Sequence, residues 1–541
     1  MIADIPILSM IVFSPLLGLL AVALLPKSYA HYAKWIAFGA TLIPLGLTLW
    51  LYAAYDAGTG GTKYAELATW VNASLNKEFL GDVASYTFKL QYQLGVDGLS
   101  LPLLLLTTVV ASMAALASVH IKKRRKSFYL WFLVLEVGML GVFLARDLIL
   151  FFMFFELTLI PMFFLIGIWG FFGREKAASR FLIYNGLGSA IMLVAFLLLV
   201  VTAGFQVEQT GQQAVQLSYS GSYDVLLRNF ADPNAYVNLV PDAVQGGTPF
   251  YMSESMRWTV FLLLLAAFGI KLPVFPFHTW MLKVHVEAPP SIVMVHSGVL
   301  LKMGAYGLLR FGIFLFPAQV ESFSFVLALL GVINLLYGAI LAFVQKDFKL
   351  VLAYSSISHM GIVLLGLASL NGIGLNGAVI QLVSHGLISA LLFLVVGSLQ
   401  ERAGTTDLQE LGGFARSMPF MSGILLAAGL ASIGLPGLSG FVGELLALLG
   451  LYDTQPALTA VAVLGIILSA AYMLRSVLAI TFGQVQERFT TFRDARLVEA
   501  VPMIVLLALI VLIGVYPAVL TSPLKHSFDF LLGQLSGGGD S

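Results

Sequence analysis

Apolar runs of about 20 residues, the length a helix needs to cross a bilayer, recur along nearly the whole chain and constrain its fold more than any other feature. They can be drawn near 6–25, 34–54, 98–119, 128–145, 148–170, 178–204, 258–277, 289–312, 322–343, 350–370, 373–400, 417–447, 457–482 and 498–519, about fourteen in all. A length of 541 residues would ordinarily suggest several soluble domains, but 59% hydrophobic and 11% charged residues set that expectation aside. The predicted fold is an all-α polytopic membrane protein forming a single membrane domain over residues 1–541. The first run has neither a basic leader nor a small-residue cleavage site, and it reads as a retained helix.

Charge then orients the bundle, because Lys and Arg are retained on the cytoplasmic side. One alternating set of loops holds Lys27, Lys34, the run Lys122 to Lys126, Arg174, Lys176, Arg180, Lys346, Lys349, Arg488, Arg493 and Arg496. The other set holds the two long loops near 55–97 and 205–257, which are richer in Asp and Glu than in Lys and Arg. Both termini are therefore expected on the non-cytoplasmic side of a bacterial cytoplasmic membrane. The "KKRRK" run reads first as a topology anchor and second as a lipid headgroup or partner contact. A net charge of +1 gives no basic field for nucleic acid. The absence of cysteine removes disulfides, iron–sulfur ligation and cysteine-based zinc sites together.

Two apolar runs are interrupted. "KLPVFP" places Pro273 and Pro276 just after Lys271, and "GLPGLSGFVGE" places Pro436 and several glycines just before Glu444. Broken helices of this kind mark ion pathways, because the freed backbone must face protein or water. The breaks fall in the seventh and twelfth runs, five helices apart and running in opposite directions. Two inverted five-helix repeats, helices 4–8 and 9–13, would produce that pattern. In residues, this divides the chain into N-terminal helices 1–3 (1–119), a first repeat (120–312), a second repeat (313–482) and a C-terminal helix 14 with its tail (483–541).

Charges at membrane depth are costly, so each is a functional candidate with a partner to be found. Glu156 lies within "FFMFFELTLIPMFF", and Lys271 is the cation expected to pair with it. Lys302 sits midway along the eighth run, with His296 six residues earlier. His359, His385 and Glu444 follow on later helices. Groups that exchange protons near neutral pH suit a relay. A single buried histidine is more simply a hydrogen-bonded core residue, but this series over helices 5 to 12 reads as a path. His278, His285 and Glu287 cluster in sequence without any standard zinc spacing, so no metal is expected. No Walker or dinucleotide fingerprint lies between a strand and a helix.

At these residues the chain resembles the antiporter-like membrane subunits of respiratory complex I, the proton-pumping NADH:quinone oxidoreductase. The resemblance rests on "GVDGLSLPLLLLTT", "FFELTLIPMFFLIGIWG", "KLPVFPFHTW", "HVEAP", "LLKMGAYGLLR", "YSSISHMG" and "GLPGLSGFVGE", which span about residues 95–445. It is most similar to the chain M, or subunit 4, branch, because Glu444 stands where other branches carry Lys and the sequence ends soon after the last run. The resemblance implies fourteen helices with inverted repeats. It casts Glu156 and Lys271 as a pair, Lys302 as a connecting lysine, His359 and His385 as central-axis groups, and Glu444 as the terminal group. His278 and His296 join these as additional candidates. It further implies that flavin, iron–sulfur clusters and quinone reside on other subunits, and that the partners are neighbouring antiporter-like subunits and membrane lipid. The sequence departs from the family at "WMLKVH", Trp280 to His285, where relatives read "WLPDAH", and at His296, where an apolar or small residue is expected. A subunit of a multi-subunit cation/proton antiporter is the alternative reading.

Overall fold

The computed structural model describes residues 6–56, 62–74, 84–210, 214–240, 250–484, 487–525 and 527–537. Both extreme termini lie outside the described residues, so their predicted side of the membrane is not addressed by it. Among the described residues, twelve helices are long and apolar enough to cross a membrane. They are α1 (Ile7–Leu24), α2 (Ala33–Ala54), α3 (Ser100–Ala117), α4 (Arg125–Leu144), α5 (Leu148–Trp169), α6 (Arg174–Val201), α8 (Pro290–Ile313), α9 (Pro317–Val344), α10 (Phe348–Ala368), α11 (Gly372–Ala403), α13 (Pro456–Phe482) and α14 (Leu497–Val515). The remaining two expected runs are interrupted rods: α7a (Glu254–Lys271) with α7b (Thr279–Glu287), and α12a (Pro419–Ser432) with α12b (Ser439–Thr454). Expected boundaries and observed ends agree closely for most spans. The exceptions are the two broken ones, where proline and glycine end the first half earlier than a continuous apolar run suggests.

The centre of the bundle is α3, α8, α10 and α11, whose side chains are almost wholly buried; α8 and α11 are buried along their entire spanning windows. Helices α1, α2, α13 and α14 bury only about a third to under half of theirs, and so present apolar faces outward, as lipid-facing helices do. The inner helices are where polar groups can be carried, because only there can protein or enclosed water satisfy them.

The chain is mostly helical, as expected, and the two long loops add strands to it. They contribute a four-stranded sheet: β1 (Glu66–Ser74) and β2 (Ala84–Leu94) from one loop, β3 (Phe205–Thr210) and β4 (Ala214–Ser220) from the other. The strand order is β1-β2-β4-β3, antiparallel within each loop and parallel where β2 meets β4. The sheet thus ties the two loops together outside the helical bundle. Its segments run from six to eleven residues and mix apolar with polar residues; the alternation in "ASYTFKLQYQL" is the strand signal that a reading as plain polar loop passes over.

The connections sort onto two faces. At one, Asp97 before α3 accepts from Arg146 at the α4–α5 turn (3.0 Å) and from Arg310 near the end of α8 (2.6 Å), while Arg146 also reaches Asp224 after α6 (2.7 Å). Burial alone would push the Asp97 carboxyl up, but the two guanidiniums outweigh it and hold it well below the usual carboxylate range. At the other, Arg402 at the end of α11 and Arg496 before α14 both grip Glu499 (2.7 and 2.9 Å). Lys122, Lys123 and Arg174 lie on the same side as Glu401, around one cleft.

Two aspartates repeat one device on opposite faces. Asp147 caps α5 by accepting from Ile149 and Leu150 N–H (2.9 and 3.1 Å) and bridges Ser222, in the loop after the next helix. Asp347 caps α10 by accepting from Leu350 N–H (3.1 Å) and bridges Asp407, in the loop after the helix that follows it. A side-chain acceptor at the cap satisfies backbone donors that a helix start leaves open.

Candidate functional site

The break in the seventh helix begins where Lys271 ends α7a. Two prolines cannot continue a helix, so the peptide groups between α7a and α7b need partners from elsewhere. Asn334 on α9 supplies both: its Oδ1 accepts from Phe275 N–H (2.7 Å) and its Nδ2 donates to Pro273 C=O (3.3 Å). Trp280 Nε1 donates to Ile270 C=O (3.1 Å) and closes the end of α7a. Side chains from outside the break thus hold Phe275 N–H, Pro273 C=O and Ile270 C=O.

Lys271 itself is buried, and its expected partner Glu156 lies near it without a direct contact. No ion pair joins it to Glu156 among the described residues. Its ammonium lies over the rings of Phe155 (4.9 Å to the centroid) and Phe181 (5.5 Å), a cation–π seat in an apolar wall. Glu156 is one residue beyond Phe155, close enough for the two charges to interact, but its buried Oε1 has no hydrogen-bond partner. The side chain of Phe181 also packs against His296, with centroids 6.0 Å apart. Lys271 and His296 thus share one aromatic neighbour.

His296 opens a π-helical turn, His296–Leu300, within α8. Its Nδ1 meets Nε2 of His285 at 2.9 Å, while the outer atoms, His296 Nε2 and His285 Nδ1, are buried without partners. A single proton is shared across such a pair, and the outer nitrogens are free to exchange one with water. Among the described residues there is no group of three or more His, Cys, Asp or Glu able to hold a metal. His278 precedes α7b, with Nε2 3.2 Å from the Tyr337 hydroxyl and its ring stacked on Phe275.

Beyond the π turn lies Lys302, fully buried. Its ammonium donates to Ser297 C=O and contacts His385 Nδ1 on α11 at 2.8 Å. Among the described residues no carboxylate pairs with it. The rings of His385 and His359 lie 5.3 Å apart across the α10–α11 contact, and a cavity of about 10 Å³ beside them is lined by both histidines with Ser355, Ser356, Ser389 and Ser432. That is about the space one water centre occupies, and the hydroxyls offer it several partners. His359 also meets Ser432 through Nε2 and Gln381 near Nδ1, each at 3.3 Å.

The line ends at the second break. His359 Nδ1 is 3.3 Å from Glu444 Oε1, an ion-pair distance at which the angles do not make a hydrogen bond, so Oε1 keeps a free lone pair. Glu444 projects from the start of α12b toward Gly434, which has φ +72° in the gap between α12a and α12b. A Cβ at Gly434 would stand 2.6 Å from Glu444 Oε2, so glycine both permits the backbone turn and leaves room for the carboxylate.

Of the residues singled out from sequence, Lys302, His385, His359 and Glu444 are brought into one contiguous series, and His296 is joined by His285. Glu156 and Lys271 are near neighbours without contact, and His278 stands apart beside Tyr337. Sequence reasoning missed Asn334, although a lone amide in the apolar run of α9 was its signal. It also missed Glu136 on α4, which is fully buried with both carboxylate oxygens unpartnered.

Known proteins share this sequence and fold. Residues 145–469 match the family described as NADH:quinone oxidoreductase/Mrp antiporter, transmembrane, and residues 68–146 match NADH-ubiquinone oxidoreductase chain 4, amino terminus. The chain is 36% identical over 536 residues to NADH-quinone oxidoreductase subunit M of Rhodobacter capsulatus, covering 97% of this chain and 96% of the relative. It is 32% identical over 536 residues to subunit M of Rickettsia felis, covering 98% and 99%. A chain of respiratory complex I from Thermus thermophilus superposes with a TM-score of 0.79 at 29% identity, covering 98% and 99%. A chain of the Mrp complex from a Dietzia species shares the fold alone, with a TM-score of 0.75 at 22% identity and 51% of its length covered. The chain is an integral membrane protein and belongs to the NADH-quinone oxidoreductase subunit M (chain 4) family.

Proposed function

We propose that this chain is a proton-translocating membrane subunit of a complex I-type NADH:quinone oxidoreductase, coupling quinone reduction elsewhere in the assembly to proton movement through its own buried side chains. The observation that carries the reading is the unbroken series Lys302–His385–His359–Glu444, which crosses four helices with contacts of 2.8 and 3.3 Å at its two ends and a polar, water-sized cavity at its middle. Each member can hold a proton and is within exchange distance of the next directly or through one water. Lys302 gives a proton to His385 Nδ1; a cavity water carries one from His385 to His359; Glu444 receives it beside the gap of the second break. Lys271, seated on aromatic faces with Glu156 near by, is the group whose charge state responds to the neighbouring subunit and sets that of Lys302. Electron carriers, namely flavin, iron–sulfur clusters and quinone, belong to partner subunits in this reading.

Taking each interrupted rod as one crossing gives fourteen spans, arranged as inverted repeats α4–α8 and α9–α13. The reading is supported by the matched Asp147 and Asp347 caps on opposite faces and by breaks five helices apart. The basic face is cytoplasmic by its Lys and Arg content, and both termini lie on the other side.

The test uses the intact complex in membrane vesicles, following quinone reduction and proton translocation together in Lys271→Ala and Glu156→Gln. Both activities are expected to fall together; wild-type coupled rates in both variants would refute the assignment. A cation/proton antiporter subunit is the second reading, favoured by the shared Mrp fold and by the Mrp antiporter in the matched family's description. It predicts sodium-driven proton exchange that persists without quinone.

A further inference from the structure

At the end of the relay two side chains meet one atom. His359 Nδ1 lies 3.3 Å from Gln381 Nε2 on α11 and 3.3 Å from Glu444 Oε1 on α12b. Its other nitrogen, Nε2, meets Ser432 in the wall of the cavity shared with His385. The cavity side and the Glu444 side of the ring are therefore served by different nitrogens. Gln381, His359 and Glu444 are all buried, so bulk water does not compete for Nδ1.

Gln381 and Glu444 ask opposite things of that atom. An amide nitrogen only donates and a carboxylate only accepts. Nδ1 thus serves Gln381 Nε2 when it carries no proton, and Glu444 when it carries one. The structure holds the first arrangement: the Gln381 amide nitrogen faces Nδ1, and the Glu444 oxygen beside it makes no hydrogen bond. The other end of the amide is untied. Gln381 Oε1 is buried without a partner, so no second bond fixes which end faces His359. Room for the amide comes from Gly443, the residue before Glu444, where a Cβ would stand 2.5 Å from Gln381 Oε1. After a half-turn about its last bond the amide would present Oε1 to Nδ1 and accept from the proton-bearing form of the ring, since its two ends match in shape but not in role.

We propose that Gln381 is a positioning residue that makes the His359–Glu444 step a valve. With Nε2 toward His359 the amide occupies the Nδ1 lone pair and denies a proton on Glu444 its way back; with Oε1 toward His359 it holds the Nδ1 proton in place for transfer. The assignment rests on the proton-translocating function above and adds what gives its terminal step a direction. In the open setting the ring takes a proton at Nε2 from the cavity water, the Nδ1–H bond breaks, and an O–H bond forms on Glu444 Oε1. One proton has moved, and the ring is again neutral, with its hydrogen on Nε2. The bare Nδ1 is what the amide N–H then covers. A further transfer waits for the ring to reorient so that a hydrogen again points at Glu444, and the amide turns with it.

The test uses the intact complex in inside-out vesicles, with quinone reduction and proton translocation followed together as the gradient is raised in steps. Gln381→Leu removes both donor and acceptor and leaves the return path open. Protons moved per quinone reduced should then fall with rising gradient more steeply than in wild type. A packing defect would lower the rate and leave that ratio unchanged. Gln381→Met, apolar and unbranched, serves the same purpose if leucine disturbs assembly. Gln381→Glu keeps an acceptor only, retains the Nδ1 proton, and should slow coupled quinone reduction by about tenfold or more, the order that a misplaced proton-transfer group carries. An assembled Gln381→Leu or Gln381→Met complex whose ratio follows wild type at every gradient overturns the valve, as does a Gln381→Glu complex that works at the wild-type rate. Normal pumping in Lys271→Ala and Glu156→Gln overturns instead the function it serves.

Discussion

Asn334→Leu is the sharpest perturbation of the first break. Leucine matches asparagine in size and shape but offers neither acceptor nor donor, so Phe275 N–H and Pro273 C=O lose their partners together. Neither peptide group can return to a regular helical bond, because Pro273 and Pro276 prevent the helix from closing across the gap. Stranding the part-buried N–H, whose bond at 2.7 Å is the shorter, costs about 2 kcal/mol, and the buried carbonyl about 1 kcal/mol more. A total of about 3 kcal/mol shifts the balance between the built break and its alternatives roughly a hundredfold. The assay is coupled proton translocation by the intact complex, alongside thermal unfolding in detergent. Asn334→Leu should lose most translocation and unfold at lower temperature. Asn334→Asp keeps the acceptor for Phe275 N–H and should retain the larger part of both. If Asn334→Leu kept wild-type stability and pumping, α9 would not be what holds the break.

Three further outcomes are expected. Gly434→Ala places a Cβ 2.6 Å from the Glu444 carboxylate at a left-handed backbone position, costing about 1–2 kcal/mol for the backbone alone, and translocation should fall while assembly persists on a native gel. Asp97→Asn leaves Arg310 and Arg146 without their shared carboxylate and should cost about 3 kcal/mol of stability; because the Asp97 carboxyl is held below its unfolded value of about 3.9, the wild-type clamp contributes fully above that pH and weakens only as pH falls further, so thermal unfolding of the variant should differ from wild type near pH 7 and converge with it in strong acid. His296→Leu removes one member of the pair with His285 and should slow translocation severalfold; an unchanged rate would remove His296 from the path.

Much of this architecture could be read before any coordinates, because a bilayer imposes a fixed length of apolar helix and a charge rule on its loops. The breaks at Lys271 and before Glu444 were legible because proline and glycine have local conformational meaning. Lys302, His359, His385 and Glu444 stood out as costly groups at depth, but their order depends on which helices pack together. The same cost argument should have flagged Glu136, in "LVLEVGML", and Asn334, in "GVINLLYG"; an amide is uncharged and so drew less notice. The aromatic seat of Lys271 was not legible. It needs Phe155, adjacent to the expected partner, and Phe181, from the following helix, to converge on one ammonium. The alternation of β2, "ASYTFKLQYQL", signals a strand, but its pairing was not legible, because β2 joins a strand about 130 residues away.

The two phenyl faces under Lys271 attract a cation but have no lone pair on which to receive a proton. They act as a passive electrostatic bed, the same before and after the lysine titrates. A proton leaving Lys271 must therefore depart by way of a water or another side chain, never through the contact that holds it. Holding and exchanging are separated in space, so the grip on the ammonium can be strong without fixing the direction in which its proton moves.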